Sequence, residues 1–341
     1  MDNPNESIVK SGMRSFSKAF CGAAGLLIGI FVIVFLFLVF FGSKTSGPST
    51  EVIIAADAEG NRTMLPPSAP VILRINIHGV IGMDKLLGKN IEMQLMDSQG
   101  VMIKKDRVKG ILLHINTPGG TVTDADQMYR SLNSYSKRYN VPVYAFVDGM
   151  CASGGMYVSS SAEKIYASPV SVIGSVGVIL GPNFNVVDLM QKVGVKAMTI
   201  TRGIDKDMLS PFREWKPGED KSLQDIIEYQ YNRFVDIVTS ARPRLNKNAL
   251  INTYGAQVFD APKAEQLGYI DEANSDYSMA LNALCEKAGI TKEQNYQVIE
   301  LIPQRFFLAD LIEGKAFGFD KIKDLFDPNL SNKLMYLYEN G

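Results

Sequence analysis

The chain of 341 residues has two histidines, three cysteines and almost no net charge, with 35 Lys and Arg against 36 Asp and Glu. Each scarcity excludes something. Balanced charge leaves no basic face for a phosphate backbone, which argues against a nucleic-acid binder. Cys21 lies in a long apolar run, so only Cys151 and Cys285 remain, and they form no disulfide pattern. His78 ends the apolar run 71–77, and His114 alternates with Leu112 and Asn116 inside another. An imidazole within a strand is more often a packed side chain than a catalyst. A histidine-based triad is therefore disfavoured. No internal repeat is visible.

Charge is also missing from the 25 residues between Lys18 and Lys44. At ~1.5 Å per residue such a helix crosses the ~30 Å hydrocarbon layer with length to spare. Lys10, Arg14 and Lys18 precede it, and Lys44 is the only basic residue beyond it before Arg62. That asymmetry places the N-terminus in the cytoplasm and the rest outside. The run is longer and bulkier than the core of a cleaved signal peptide, and Cys21 stands at its start, not at its end as in a lipoprotein signal. The expected order is a cytoplasmic N-terminus (1–18), a single-pass signal anchor in the cytoplasmic membrane (19–43) and a Ser-, Thr-, Gly- and Pro-rich tether (44–70). About 270 residues then remain, enough for one large α/β module.

Within that module the apolar runs 71–77, 110–116 and 141–147 read as strands, with shorter ones near 164–168 and 197–201. Helices are expected at about 121–138 and 183–193. A longer one follows Lys216-Pro217-Gly218, with Ile227, Tyr231, Phe234, Val235 and Val238 at helical spacing, and stops near Pro243. Strands alternating with helices argue for a parallel sheet. The residues 301–341, with five phenylalanines among charges, read as a C-terminal extension, either a subunit contact or a mobile tail.

Two glycine-rich turns carry the chemistry. Asn116-Thr117-Pro118-Gly119-Gly120 closes one apolar run and opens a helix. A glycine pair at such a turn leaves backbone N–H groups free to hold a developing negative charge. Cys151-Ala152-Ser153-Gly154-Gly155 places a hydroxyl on a second turn before a helix. A serine hydroxyl needs a base. Without a usable histidine, the common remaining solution is a lysine kept neutral by desolvation. Residue patterns do not single out which lysine. Taken alone, Ser153 and Ser175 are turn hydroxyls, Lys206 between two aspartates is a solvated ion-pair loop, and Cys151 is a small buried hydrophobe.

The order NTPGG, CASGGMYVSSSAEKIYASP, IGSVGV, TRGIDKDMLSPFR and YGAQVFDAPKAEQLGYIDE resembles the signal peptide peptidase A (protease IV) family of membrane-bound serine peptidases, short single-module type. The likeness covers most of residues 71–275. It implies a Clp protease/crotonase-like β-β-α superhelix and a serine peptidase domain over 71–300. It also implies Ser153 as nucleophile, Lys206 as general base, Ser175 as the hydroxyl orienting the lysine, and Gly120 in the oxyanion hole, with Gly154 as a second donor. Cys151 and Met156 depart from the family pattern, where alanine and an aromatic are expected. The family implies a homo-oligomer acting on hydrophobic peptides such as released signal peptides, with no metal or other cofactor. Two other readings share the fold: an acyl-CoA hydratase or isomerase of the crotonase type, and an inactive membrane scaffold.

Overall fold

The computed structural model describes residues 8–42, 50–100, 103, 106–291, 293–303 and 335–337. Two units separate at Ser49. The first contains one helix, α1 (Ile8–Gly42), whose stretch Gly12–Leu36 is long and apolar enough to cross a membrane.

The second unit begins with β1 (Thr50–Ala55) and continues with β2 (Val71–His78), α2 (Gly88–Asp97), β3 (Val108–Thr117), β4 (Gly119–Thr121) and α3 (Val122–Tyr139). Next come β5 (Val143–Ala152), α4 (Gly154–Ser159), β6 (Lys164–Ala167), β7 (Val172–Gly174), α5 (Val187–Lys192) and α6 (Lys221–Ala241). The short α7 (Lys247–Ala249), β8 (Val258–Asp260), α8 (Ala261–Leu267), α9 (Tyr277–Lys287), β9 (Gln297–Pro303) and β10 (Met335–Leu337) complete the order.

The centre of the main sheet runs β9-β2-β3-β5-β7, all parallel, with β6 also parallel on β5. Antiparallel β1 and β8 close the two edges. Helices on both sheet faces explain why the central strands read as nearly unbroken apolar runs. Leu73, Ile75, Ile77, Leu113, Ile115, Val143 and Val147 point to one face, with α3, α4 and α6 packed there. Ile72, Leu112, Tyr144 and Phe146 point to the other, against Ala280, Leu281 and Leu284 of α9.

The three long strands, the helix after Gly120 and the helix ending before Pro243 stand where their periodicity put them. Three expectations are not met. Residues 50–55, assigned by composition to the tether, form β1 with Val52 opposite Leu301 and Ile54 opposite Ile299. The edge of β9 offers a full hydrogen-bond ladder that a Ser- and Pro-rich neighbourhood hides from composition. The strand expected at 197–201 is absent, and α5 is shorter than the predicted 183–193 helix. Strand pairing needs a partner edge, and residues 193–204 meet none: Met198 and Ile200 are bare to solvent. Of the C-terminal extension, 301–303 finish β9, 335–337 are β10, and the remainder lies outside the described residues.

One buried cation ties the α4–β6 connection to the C-terminal half. Arg242, 4% exposed, caps the end of α6 and sends its guanidinium to Asp271 Oδ2 at 2.5 Å and to the Ala162 carbonyl. Asp271 Oδ2 also accepts the Ile165 N–H at 2.9 Å. Arg242→Ala would leave that carboxylate and carbonyl without their donor, which costs roughly 3 kcal/mol. Urea unfolding of the detergent-solubilised chain should show the midpoint fall by that equivalent, whereas a change under ~0.5 kcal/mol would mean that solvent replaces the guanidinium freely.

Candidate functional site

The site forms where the parallel ladder of β5 and β7 stops. Their last pair is Ala152 opposite Gly174, so the next residue of each strand, Ser153 and Ser175, emerges at the same level. Both turn into left-handed backbone, with φ of 52° and 54°. Non-glycine residues pay for that conformation, and the surroundings must hold them in it. The Ser153 N–H donates to the Gly174 carbonyl at 2.9 Å, and the Ser175 N–H to the Gln257 carbonyl at 2.8 Å. A residue on such a strand-to-helix turn projects its side chain away from both elements.

Ser153 is 1% exposed, and its hydroxyl has no hydrogen-bond partner among the described residues. Leaving a buried hydroxyl unpaired costs free energy, and native folds rarely tolerate it without a functional reason. Gly154 opens α4, whose first N–H groups have no acceptor within the helix.

Gly120 sits on β4, which pairs on one edge with Ile81: Ile81 N–H donates to Gly119 O at 2.7 Å, and Thr121 N–H to Ile81 O at 2.9 Å. Strand alternation turns the Gly120 N–H to the other edge. A Cβ on Gly120 would meet the Ile81 carbonyl oxygen at 2.0 Å, and its φ is +153°, so only glycine fits. On that outer edge lies β10, antiparallel, with Tyr336 opposite Gly120. A piece of extended chain thus already occupies the strand edge that carries the proposed oxyanion donor.

Lys206 is elsewhere. It lies exposed on the turn 203–208, and its amine has no hydrogen bond or ion pair among the described residues. Ser153, Ser175, Gly120 and Gly154 therefore come together on the β5–α4 side, and Lys206 does not join them within the described chain. Its neighbour Asp207 is held by Arg213, Nε to Oδ2 at 2.7 Å. The Arg213 guanidinium also keeps the Asp207 and Glu219 carboxyls below their ordinary pKa values. Sequence reasoning passed over Arg213, although it is the last residue of the quoted stretch TRGIDKDMLSPFR.

Both histidines stand on the opposite sheet face. His114 Nδ1 is 2.9 Å from Arg74 Nη2 and from His78 Nε2, its ring stacks on Phe146, and burial with the Arg74 charge brings its pKa down to about 3. A neutral, occupied imidazole there matches a packed side chain. Cys151 and Met156, the two departures from the family pattern, touch each other, Sγ to Sδ at 3.7 Å. Complete burial pushes the Cys151 thiol up to about 12. No group of three metal-ligating side chains occurs among the described residues.

A thiol with that pKa stays protonated at pH 8 and has no path to solvent. Iodoacetamide should therefore leave Cys151 unmodified in the folded protein at pH 8 and alkylate it after unfolding, read by peptide mass. Rapid labelling of the folded protein would reverse the assignment.

Comparisons with known proteins fit this geometry. The model of peptidase family S49 matches residues 136–291, and that of Clp protease matches residues 71–173. An Enterococcus faecium protein provisionally named signal peptide peptidase SppA is 31% identical over 225 residues, covering 64% of each chain. A provisionally named protease of Methanocaldococcus jannaschii is 33% identical over 197 residues, 58% of this chain and 61% of that one. Protease 4 of Haemophilus influenzae is 32% identical over 178 residues, 51% of this chain and 28% of that one. The match thus spans about three fifths of the length of the first two relatives. The fold is of the Clp protease type, as the sheet order and the second family model agree. Residues 136–291 thus match peptidase family S49, and the relatives named signal peptide peptidase SppA and protease 4 support the signal peptide peptidase A (protease IV) family.

Proposed function

We propose that this chain is a membrane-anchored serine endopeptidase that cleaves extended apolar peptides, signal peptide remnants among them, on the outer side of the cytoplasmic membrane. The observation that carries the reading is the Ser153 hydroxyl, buried, unpaired and set on a strained turn at the head of α4, which packs against β4. Ser153 Oγ attacks the scissile carbonyl and passes its proton to neutral Lys206. The Gly120 N–H, with that of Gly154, stabilises the tetrahedral oxyanion. Lys206 returns the proton to the leaving amine and then activates the water that hydrolyses the acyl-enzyme. The Ser175 hydroxyl, one position beyond the same strand pair as Ser153, orients the lysine amine.

Substrate would bind as an added strand. The pairing of β10 with Gly119–Thr121 supports this, because it displays the edge accepting an extended segment. The stretch Gly12–Leu36 supports anchoring, and the basic residues before it support the orientation.

The base is brought in by assembly. Met198, Ile200 and Ile204, on the chain leading to Lys206, are 86%, 87% and 95% exposed. A patch of large apolar side chains on an extended segment favours contact with another copy. Burying that segment at a neighbour's Ser153 would also strip water from Lys206, as a lysine base requires.

Ser153→Ala and Lys206→Ala should each abolish hydrolysis of an apolar signal-peptide substrate. Mixed and allowed to exchange subunits in equal amounts, the two inactive variants should recover about a quarter of wild-type activity, because one site in four then unites an intact serine with an intact lysine from the next copy. No recovery would place both groups in one copy, and activity of Ser153→Ala alone would remove it as nucleophile.

A further inference from the structure

The turn that carries Lys206 is held by a single guanidinium. Arg213 Nε and Nη2 reach both Asp207 carboxylate oxygens, at 2.7 and 3.2 Å, and Nη2 reaches the Asp207 carbonyl at 2.7 Å. Nη2 and Nη1 also meet Glu219 Oε2 at 2.5 Å and Oε1 at 3.3 Å, and Nη1 meets the Glu214 carbonyl at 2.8 Å. Glu219, its side chain only 2% exposed, uses Oε1 to accept the Leu209 N–H at 3.2 Å as well. Leu209 is itself in left-handed backbone. The nitrogens of this fork are spent on Asp207, which flanks Lys206, on Glu219 and on the Glu214 carbonyl.

That arrangement solves a problem the sequence sets. A lysine between two aspartates is a natural ion pair, and an ion-paired lysine cannot accept a proton from a serine near neutral pH. We propose that Arg213 is a positioning residue for the base: it clamps the Asp207 carboxylate, with Glu219 as the second arm, so that the Lys206 amine enters the site unpaired.

The proposal rests on the Ser153–Lys206 reading. It adds that one of the two acidic neighbours, Asp207, is neutralised by Arg213. Bidentate Arg–carboxylate geometry is directional, unlike a loose surface pair, so the carboxylate is turned and not merely screened. The charged groups around the turn are Arg202, Asp205, Asp207, Arg213, Glu214, Lys216, Glu219, and Asp220 and Lys221 at the start of α6. Against β5 and α4, on the Ser153 side, stand the Cys151 thiol, Arg242 paired with Asp271, and Asp126 paired with Arg233 and Tyr157. Of these, Asp205 and Asp207 are the carboxylates next to Lys206 in the chain, and only Asp207 is clamped among the described residues.

The test is the pH dependence of kcat/KM for an apolar signal-peptide substrate, with the full-length chain in detergent. Arg213→Gln frees Asp207 to pair with Lys206, which raises the lysine pKa and moves the rising limb to higher pH. Activity at pH 7 should fall tenfold or more, about one unit of displacement, while at pH 10 it stays within about threefold of wild type. Adding Asp207→Asn to Arg213→Gln removes the competing carboxylate and should bring pH 7 activity back to within about threefold. A purely structural arginine predicts the opposite: equal loss at every pH and no rescue. That result overturns the proposal.

If size-exclusion chromatography shows that Arg213→Gln fails to assemble, Arg213→Lys replaces it. This variant keeps the charge and loses the fork, so a smaller alkaline displacement, reversed by Asp207→Asn, is expected. An unshifted profile overturns the proposal. Lys206→Ala separates the two levels: activity in that variant removes the base reading itself, whereas an inactive Lys206→Ala beside an unshifted Arg213 variant removes only the role of Arg213.

Discussion

The parallel pairing of β5 with β7 stops at Ala152 opposite Gly174, and the functional geometry follows from that stop. Beyond it the two chains can neither continue the ladder nor relax into ordinary turns. Each donates its first free N–H sideways, Ser153 to Gly174 and Ser175 to Gln257. These bonds hold two serines in a conformation that serine avoids. The apolar packing of α4 beneath them supplies the restraint: Met156, Tyr157 and Val158 are fully buried. Strain in the turn is therefore sustained by the core, and the Ser153 hydroxyl has no hydrogen-bond partner among the described residues.

The second half of the site depends on a different constraint. Gly120 lies so close to Ile81 that a side chain has no room, and this contact fixes which edge of β4 faces outward. An exposed strand edge is a hazard in most proteins, since it pairs with whatever extended chain arrives. Here β10 covers the outer edge of β4 and shows how an extended segment lies on it.

The lysine turn shows why a local sequence can mislead. Read in isolation, Asp205-Lys206-Asp207 is a neutralised, solvated cluster. In three dimensions Asp207 pairs with Arg213, which Glu219 holds from the other side. The charges of this stretch are paired, but not in the order in which they occur along the chain. Arg213 and Glu219 were readable only as two more charged residues in a polar loop, because nothing in spacing announces a fork of hydrogen bonds.

The sequence by itself determined the apolar core strands, the long charge-free helix, the helices after Gly120 and before Pro243, and the two glycine turns. These are local properties: periodicity, the absence of charge, and backbone freedom at glycine act within a few residues. Tertiary structure alone decided that 50–55 joins the sheet, that 197–201 remains unpaired, that Ser175 lies level with Ser153, and that both histidines stand on the far face. Each depends on which edge or charge lies opposite, and those partners are distant in the chain. A strand needs an available ladder and a carboxylate needs a particular cation, and neither is specified until the sheet has closed around them.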